Sequence, residues 1–150
     1  MKNGRGWIRG CLSSASASVL LNGSPTTEFY IRKGVRQGDP LALFLFIIAA
    51  ESINVVMHEA REKGIFHRSK LPGSGPIISH LQYADDIIFT GDWSLSNVLN
   101  LIRILRCFQL SSGLKINLNK SSLLGVGVDD TEVDSFARKA HCKVGSLPFV

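Results

Sequence analysis

The 150-residue sequence predicts one α+β domain in which helices pack on one face of an antiparallel sheet. Two observations predict this class. Two pairs of short strand-like runs are each joined by a tight polar turn, which indicates hairpins. Long helical patterns follow the hairpins without a repeated order of strand, helix and strand, which argues against a doubly wound parallel sheet. A chain of this length can remove roughly two thirds of its unfolded surface from water and so form a core.

The first predicted hairpin joins residues 19–21 to residues 28–32. Asn22-Gly23 lies between them, and this pair readily adopts the positive φ angles that a tight hairpin turn requires. A glycine-spaced connector, residues 34–38, then leads towards the next element.

A long helix is predicted over residues 40–63. Asp39 is a good N-cap, Pro40 fits the first helical position, and Gly64 marks the end. The first three turns are apolar on every side and the last three carry polar residues, so we expect the helix to begin in the core and emerge into water. The apolar run 41–50 is about half of a membrane span, and no membrane partner is expected.

Residues 77–83 and 87–90 form the second predicted hairpin, with Ala84-Asp85-Asp86 as its polar tip. A loop at residues 71–76 precedes it. Ser94 can cap a helix that runs to Leu110, and the Ser-Ser-Gly at residues 111–113 marks the end of the helical pattern. Beyond this helix, alternating apolar and polar residues predict a half-buried strand at 114–119, and residues 131–140 predict a short helix.

Composition restricts the function only loosely. Seventeen Lys and Arg against twelve Asp and Glu give a formal charge of +5, which suits a polyanionic partner but is also ordinary for a soluble protein. Three widely spaced cysteines and four histidines show no pattern of a disulfide framework or a zinc site. Without a signal-peptide pattern at the N-terminus, a reducing intracellular setting is expected, in either nucleus or cytoplasm.

The feature with most chemical content is Tyr83-Ala84-Asp85-Asp86 between two apolar runs. Neighbouring side chains of a regular strand point to opposite faces, so adjacent aspartates converge on one cation only where the backbone turns. Two carboxylates at a turn suit hard divalent cations such as Mg²⁺. The alternative is a solvated turn, since Asp is a common turn residue.

Three segments occur in an order that resembles the successive palm motifs of non-LTR (LINE-type) reverse transcriptases, particularly the plant branch. They are VRQGDPLALFLF, HLQYADDIIF and SGLKINLNKS. The flanking GCLSSASASVLLNGSP and HCKVGSLPF are similar to the same branch, so the resemblance covers nearly the whole chain. It implies a palm-like fold over residues 1–150 and a parent activity of RNA-directed DNA polymerisation.

The resemblance also implies roles for individual residues. Asp85 and Asp86 match the two aspartates of a two-metal Mg²⁺ site, with the first as the closer ligand. Gln37 and Gly38 match the segment that lies against the incoming nucleotide. Lys120 matches the lysine of the fourth palm motif, a candidate proton donor to the departing pyrophosphate.

Each of these roles has a structural alternative. Gln37 and Gly38 could be only a loop leading into a helix, and Lys120 a solvated surface lysine. Tyr83 could line the nucleotide side of the hairpin or pack on its neighbours. Asp39 is interpreted as an N-cap rather than a catalytic group. The cluster of Arg32, Lys33 and Arg36 could contact phosphates or form a solvated edge.

The sequence also departs from the family pattern. Ala42 and Leu43 replace the Ser and second Pro of the usual Gly-Asp-Pro-Leu-Ser-Pro. The aspartate of the first palm motif is expected upstream of Met1, and the thumb is expected downstream. The expected partners are an RNA template, a DNA primer, deoxynucleoside triphosphates and other parts of a retroelement polyprotein. We expect little or no polymerisation by the isolated chain.

Three other interpretations stay open from sequence alone. The chain could be a non-enzymatic nucleic-acid-binding remnant of a truncated element. It could be a palm completed by a separate polypeptide that carries the missing aspartate. It could also be a stable fold without retained function.

Overall fold

A computed structural model describes residues 3–31, 38, 40–69 and 78–147. The chain divides into two compact units, Met1–Ile48 and Ala49–Val150, which are described separately below. Helices and short, mainly antiparallel strand pairs alternate along the chain, in agreement with the predicted α+β class.

The helices and strands are numbered in chain order. The helices are α1 Asn3–Ser13, α2 Pro40–Glu62, α3 Leu95–Ser112 and α4 Asp130–Ala140. The strands are β1 Ser16–Ala17, β2 Leu20–Leu21, β3 Ser24–Pro25, β4 Phe29–Tyr30, β5 His80–Tyr83, β6 Asp86–Phe89, β7 Ser122–Leu123 and β8 Lys143–Val144. Within the described residues they form four separate two-stranded sheets, and each strand is two to four residues long. A single continuous sheet, as predicted, is not formed there.

The first unit contains the first predicted hairpin. Leu20 pairs with Pro25 and Leu21 with Ser24, so the turn consists of Asn22 and Gly23 alone. Their φ angles of 51° and 82° are both positive, as a type I′ turn requires. Pairing of β1 with β4 continues this ribbon away from the turn. The predicted Asn22-Gly23 turn is confirmed, but the predicted partner strand is corrected: Leu20 and Leu21 pair with Ser24 and Pro25, and Phe29 and Tyr30 pair with β1 instead.

Helix α2 begins at the predicted residue and ends one residue earlier than predicted, but its burial differs from the prediction. It begins at Pro40 and is followed by Gly64 with a φ of 65°. The prediction that its first turns are buried is wrong, because the core forms around the second half instead. The buried residues of α2 are Ala50, Ile53, Met57 and Ala60. The exposed apolar residues of its first turns are Leu41, Leu43, Phe44, Ile47 and Ile48.

By length and composition alone, α2 could cross a membrane, and only 17% of its most apolar window is buried. Core helices of soluble proteins pass the same test. The expectation that the chain has no membrane partner therefore stays a prediction.

The core of the second unit joins α2, α3 and the segment that follows α2. Ile53 and Met57 are 0% and 1% exposed, and they cluster with Phe66, Leu105 and Phe108. The partly buried residues that pack against this cluster are Val56, Ile87, Phe89, Leu101, Leu114 and Ile116. Since Ile87 and Phe89 belong to β6, the second hairpin is anchored directly to the core.

Helix α3 is capped at both ends. The Ser94 hydroxyl accepts a hydrogen bond from the Asn97 N–H at 3.2 Å, which satisfies one of the free donors of the first turn. At the other end Gly113 has a φ of 77° and donates its N–H to the Gln109 carbonyl at 2.9 Å. The predicted Ser94 cap is confirmed, and the helix continues two residues beyond the predicted Leu110 to Ser112.

The predicted strand at residues 114–119 is not formed. Leu114 and Ile116 are half-buried, so the expected alternation is present, but the segment has no strand partner among the described residues. Asn117 instead accepts a hydrogen bond from the Asn119 N–H at 3.2 Å and starts a 3-10 turn, Leu118–Lys120. Such local side-chain bonds compete with strand pairing.

The last elements follow this turn. Strand β7 pairs with β8 in parallel, and α4 connects them. Asp129 caps α4 by accepting a hydrogen bond from the Thr131 N–H at 2.8 Å. The predicted helix at 131–140 is therefore confirmed, with its first residue one position earlier.

A buried amide ties three segments of the second unit together. Asn97, in the first turn of α3, is 3% exposed. Its Oδ1 accepts from the His67 N–H at 2.9 Å, and its Nδ2 donates to the carbonyls of His67 at 2.8 Å and Asp92 at 3.0 Å. The beginning of α3 is thereby bonded to the segment after α2 and to the residues that leave the β5–β6 hairpin.

Gly91 allows this close approach. A Cβ at this position would lie 2.7 Å from Phe66 Cζ, 2.8 Å from Asn97 Nδ2 and 2.9 Å from the His67 carbonyl oxygen. These distances are shorter than van der Waals contact, so only glycine fits here without movement of its neighbours.

Replacing the buried amide should destabilise the second unit strongly. In Asn97→Ala the His67 N–H and the Asp92 carbonyl lose their side-chain partner, while the His67 carbonyl keeps the Asp92 N–H at 3.0 Å. Each buried group left unsatisfied costs about 1–3 kcal/mol. We expect the free energy of unfolding, measured by urea titration, to fall by about 3 kcal/mol. Asn100→Ala is the control, because Asn100 is only half-buried and donates a single bond to a backbone group, the Ile65 carbonyl at 2.9 Å. It should lose no more than about 1 kcal/mol, and equal losses in both variants would contradict the role of Asn97.

Candidate active site

The aspartate pair lies at the turn of the β5–β6 hairpin. Four residue pairs hold this hairpin together, ending with Tyr83 opposite Asp86. The loop therefore contains only Ala84 and Asp85. The three-residue tip in the sequence prediction is corrected by this register, since Asp86 is the first residue of β6.

The turn depends on an unusual backbone conformation at Ala84. Its φ is 52°, whereas the φ of Asp85 is not positive. A positive φ at the first loop residue alone is the pattern of a type II′ turn, in which glycine is usual at this position. The Gln82 side chain donates a hydrogen bond to the Ala84 carbonyl at 3.4 Å. The sequence analysis did not identify Ala84 as a special residue.

The two faces of the hairpin have different surroundings. Residues opposite each other in an antiparallel pair share a face. One face carries Ile87 and Phe89, which pack on the core. The other carries Leu81 with Ile88 and Tyr83 with Asp86, and all four are exposed. The pairing thus anchors one face and leaves the Tyr83 and Asp86 side chains accessible.

Both carboxylates are free to bind a cation. Asp85 and Asp86 are exposed, and neither side chain accepts a hydrogen bond or forms an ion pair within the described part of the chain. Ionised carboxylates are pure acceptors and suit hard divalent cations. However, no group of three or more His, Cys, Asp and Glu residues that could hold a metal occurs across residues 3–31, 40–69 and 78–147. The hairpin alone supplies two carboxylate ligands.

The other predicted site residues lie on different elements. Lys120 ends the 3-10 turn and is exposed. Gly38 belongs to the first unit and has a φ of 85°. Among the predicted site residues that the structure describes, Tyr83, Asp85 and Asp86 share one hairpin, whereas Gly38 and Lys120 lie on other elements. The other residues for which the sequence makes predictions lie outside the described ranges. They are Arg32, Lys33, Arg36, Gln37, Asp39 and the loop at 71–76.

His80 is the titratable group with a perturbed environment on this hairpin. Its ring stacks on Phe89 with centroids 6.0 Å apart, and its Nδ1 lies 3.0 Å from the Ser79 hydroxyl. Partial burial lowers the pKa of His80 below its usual 6.5, and the negative charge of Glu51 opposes that shift. Sequence reasoning did not single out this histidine, since its burial follows from hairpin packing.

Comparison with known proteins bears on this site. The pattern of the reverse transcriptase (RNA-dependent DNA polymerase) family matches residues 1–137. Two sequences of the retrovirus-related Pol polyprotein from type-1 retrotransposable element R2 of Popillia japonica are 31% identical over 126 residues and 26% identical over 114 residues. The matches cover 80% and 76% of this chain but only 16% and 18% of those polyproteins.

An uncharacterized mitochondrial protein of Arabidopsis thaliana is 36% identical over 67 residues. This match covers 45% of the chain and 55% of that protein. The chain thus spans about half the length of the mitochondrial protein and less than a fifth of each polyprotein.

The turn conformation can be tested at Ala84. Ala84→Val should lower the free energy of unfolding by about 1–2 kcal/mol, because a β-branched residue is strained at positive φ. Ala84→Gly is the matched control, since glycine adopts this φ without strain, and it should be neutral or slightly stabilising. Urea titration of both variants measures the difference. Equal stability of the two would argue against a positive φ at this residue.

The environment of His80 predicts a dependence of stability on pH. Because its folded-state pKa is lowered, the unfolded state binds the proton more readily. The contribution of His80 to the free energy of unfolding is therefore complete above pH 6.5 and is lost as the pH falls below that value. We expect the urea midpoint to drop between pH 7.5 and 5.5, and His80→Gln to reduce this drop. His58 is exposed on α2, and His58→Gln serves as the control. In this variant the urea midpoint should drop with pH as it does in the wild type.

Proposed function

Because this chain belongs to the reverse transcriptase (RNA-dependent DNA polymerase) family, as a fragment of a non-LTR retrotransposon enzyme, we propose that Asp85 and Asp86 are ligands of its catalytic metal. The observation that carries the proposal is the hairpin itself. It presents two adjacent, unpaired carboxylates at a turn, while Ile87 and Phe89 fix its base to the core. The whole activity proposed is RNA-directed DNA synthesis.

Mg²⁺ is the proposed ion, within a family that generally uses divalent metal ions. Mg²⁺ is commonly held by one or two protein carboxylates, with water and substrate phosphates as the other ligands. Two carboxylates at the tip fit that pattern. When bound, the ions would supply charge neutralisation at the transferring phosphoryl group. Asp85, in the loop, is the proposed closer ligand, and Asp86, at the start of β6, the less direct one.

Tyr83 is proposed to meet the nucleotide or primer side of the hairpin. It is 86% exposed and lies opposite Asp86 on the accessible face. An aromatic ring in this position can stack on a base without displacing any core contact. The alternative, that Tyr83 packs on its hairpin neighbours, is less compatible with this exposure.

Gly38 and Gln37 are proposed to lie against the incoming nucleotide. Gly38 is exposed, and a Cβ built on it would meet no atom within 4 Å. Its φ of 85° also favours glycine, so backbone at this position is open to the close approach of a sugar or base. The role of Gln37 rests on its match to the family motif.

Lys120 is proposed to protonate or neutralise the departing pyrophosphate. It lies at the end of a 3-10 turn that Asn117 initiates, which fixes the backbone while the side chain stays exposed. A lysine ammonium can serve as a general acid towards a leaving phosphate oxygen. The partners that these roles imply are an RNA template, a DNA primer and deoxynucleoside triphosphates.

The hairpin and the helices of the second unit are proposed to form part of a palm-like arrangement. A third carboxylate, from the first palm motif of the family, would complete the metal site from outside the described residues. Two exposed carboxylates in water attract a cation only weakly, since Coulomb interactions at high dielectric are small. Little polymerisation is therefore expected from this chain alone.

Removing the first carboxylate should abolish both metal binding and synthesis. In Asp85→Asn one ionised ligand is lost, and a catalytic metal contributes several kcal/mol to transition-state stabilisation. Mn²⁺, a paramagnetic substitute for Mg²⁺, should broaden the amide NMR signals of residues 83–87 in the wild-type chain and not in the variant. Primer extension on an RNA template, by this chain joined to an upstream first palm motif, should fall by about 100-fold or more.

Asp130→Asn provides the matched control. Asp130 also follows another aspartate and is exposed, but it lies in the first turn of α4. This variant should keep both the broadening and the primer extension. If Asp85→Asn lost primer extension but kept the Mn²⁺ broadening of the amide signals, the metal would be bound by other residues. Broadening that is equal in wild type and Asp85→Asn would reject the assignment of Asp85.

A further inference from the structure

The turn of the first hairpin combines two residues that can react with each other. Asn22 and Gly23 are both exposed and form the whole loop between β2 and β3. The side-chain amide carbon of an asparagine can be attacked by the next backbone nitrogen, which closes a five-membered ring. Glycine obstructs this attack least, because it has no Cβ beside its nitrogen. A Cβ built on Gly23 would meet no atom within 4 Å, so the loop is also open to water.

The two reacting groups are not engaged in hydrogen bonds. Within residues 3–31 the Gly23 N–H donates to no acceptor, and the Asn22 side-chain amide has no partner. An exposed and unbonded N–H can lose its proton to hydroxide, which makes the nitrogen a nucleophile. The Asn97 amide, by contrast, makes three hydrogen bonds and is 3% exposed. Asn22 therefore has the freedom to react that Asn97 lacks.

One rotation of the backbone would bring these groups together. In a type I′ turn the first loop residue has φ and ψ of about 60° and 30°, which places the next nitrogen on the side away from Cβ. In a type II′ turn these angles are about 60° and −120°, so the Gly23 nitrogen would lie on the same side of the Cα–C bond as the Asn22 Cβ. Rotation of the peptide group between Asn22 and Gly23 would therefore convert an unreactive turn into a reactive one.

The rest of the ribbon can stay in place during this rotation. Both turn types join antiparallel strands through two residues, so the strand pairing is compatible with either. The φ of Asn22 stays positive, near its present 51°, and only Gly23 must change sign, from 82° to about −80°. Behind the turn, the Thr26 N–H donates to the Val19 carbonyl at 2.8 Å, and the Val19 N–H donates to the Thr26 hydroxyl at 3.0 Å. These two bonds hold the strands together.

We propose that Asn22 is a site of spontaneous deamidation through a cyclic succinimide formed with Gly23. The deprotonated Gly23 nitrogen bonds to the Asn22 Cγ, and the side-chain nitrogen takes up protons and leaves as ammonia. Water then adds to one of the two ring carbonyls and opens the ring. Opening at Cγ gives aspartate, whereas opening at the backbone carbonyl carbon gives isoaspartate. One water is consumed and one ammonia is released, and nothing is oxidised or reduced.

Either product would change the hairpin. Aspartate adds a negative charge to residues 10–27, a stretch that has no charged residue of its own. Isoaspartate also passes the main chain through Cβ, which adds one carbon to the two-residue loop. Because the loop sets the strand register, the pairing of Leu20 with Pro25 should be lost in the isoaspartate form. Since ammonia escapes into solvent, the fraction of modified chains should rise with the age of the protein.

The test is incubation of the full chain at mildly alkaline pH, followed by tryptic digestion and mass spectrometry. Trypsin isolates Asn22 within residues 10–32, and it isolates Asn3, which also precedes a glycine, within residues 3–5. We expect the peptide 10–32 to gain the mass difference between an amide and an acid. Its isoaspartate fraction should accept a methyl group from a protein isoaspartyl carboxyl methyltransferase. The rate should rise with pH, because the nucleophile is the deprotonated nitrogen.

Two matched variants separate the turn from the general reactivity of side-chain amides. Asn22→Gln keeps the amide but lengthens the side chain by one carbon, so the attack would need a six-membered ring. Modification of the peptide 10–32 should then be lost. Asn54→Gln makes the same change at an exposed position within α2. This variant should modify the peptide 10–32 at the wild-type rate.

A comparison with the chain unfolded in urea tests the turn itself. Because two-residue hairpins favour both turn types, the rate in the folded chain should stay within about tenfold of the rate in urea. A folded chain that reacts more slowly than this would show that the hairpin protects Asn22, and the proposal would be overturned. It would also be overturned if Asn22→Gln and the wild type gained the same mass in this peptide. These outcomes are independent of whether Asp85 and Asp86 hold an ion.

Discussion

The Asn97 amide is the interaction on which the second unit depends most. One side chain satisfies both backbone groups of His67 and the carbonyl of Asp92, so three chain segments meet at a single buried polar point. Packing alone is tolerant of small shifts, whereas hydrogen bonds of 2.8–3.0 Å fix direction as well as distance. The absence of a side chain at Gly91 is the steric counterpart of this arrangement. The end of the β5–β6 hairpin is thereby placed relative to α3.

From this fixed base the hairpin extends outward with unequal faces. The Ile87 and Phe89 side chains hold it against the core, and nothing in the second unit's described residues buries the Tyr83 side chain. The strained Ala84 conformation lies at the point farthest from the anchoring contacts. Rigidity is therefore greatest where the hairpin joins the core, and accessibility is greatest at the carboxylates. This gradient would suit the proposed metal site, because the ligands beyond Asp85 and Asp86 would have to reach the hairpin from outside.

Local signals in the sequence predicted local structure well. Ser94 and Gly113 mark the ends of α3 because capping involves neighbouring residues only, and the same is true of the Asn22-Gly23 turn. Features that depend on distant partners were not predictable in this way. The alternating segment at 114–119 looked like a strand, but pairing requires a neighbour that its sequence cannot specify. Among candidate site residues, Asp85 and Asp86 were placed together because they are adjacent in the chain, whereas the position of Lys120 relative to them rests on tertiary structure.

The uncovered first half of α2 has a consequence for how the chain behaves in solution. Four of its apolar residues are at least half exposed: Leu43, Phe44, Ile47 and Ile48. Covering what remains exposed of each would gain about 1 kcal/mol or more, so about 4–6 kcal/mol in all. That is comparable to the entire free energy of unfolding of a marginal domain. The apparent stability of this chain should therefore rise with its own concentration, since self-association that hides α2 stabilises the folded state by mass action.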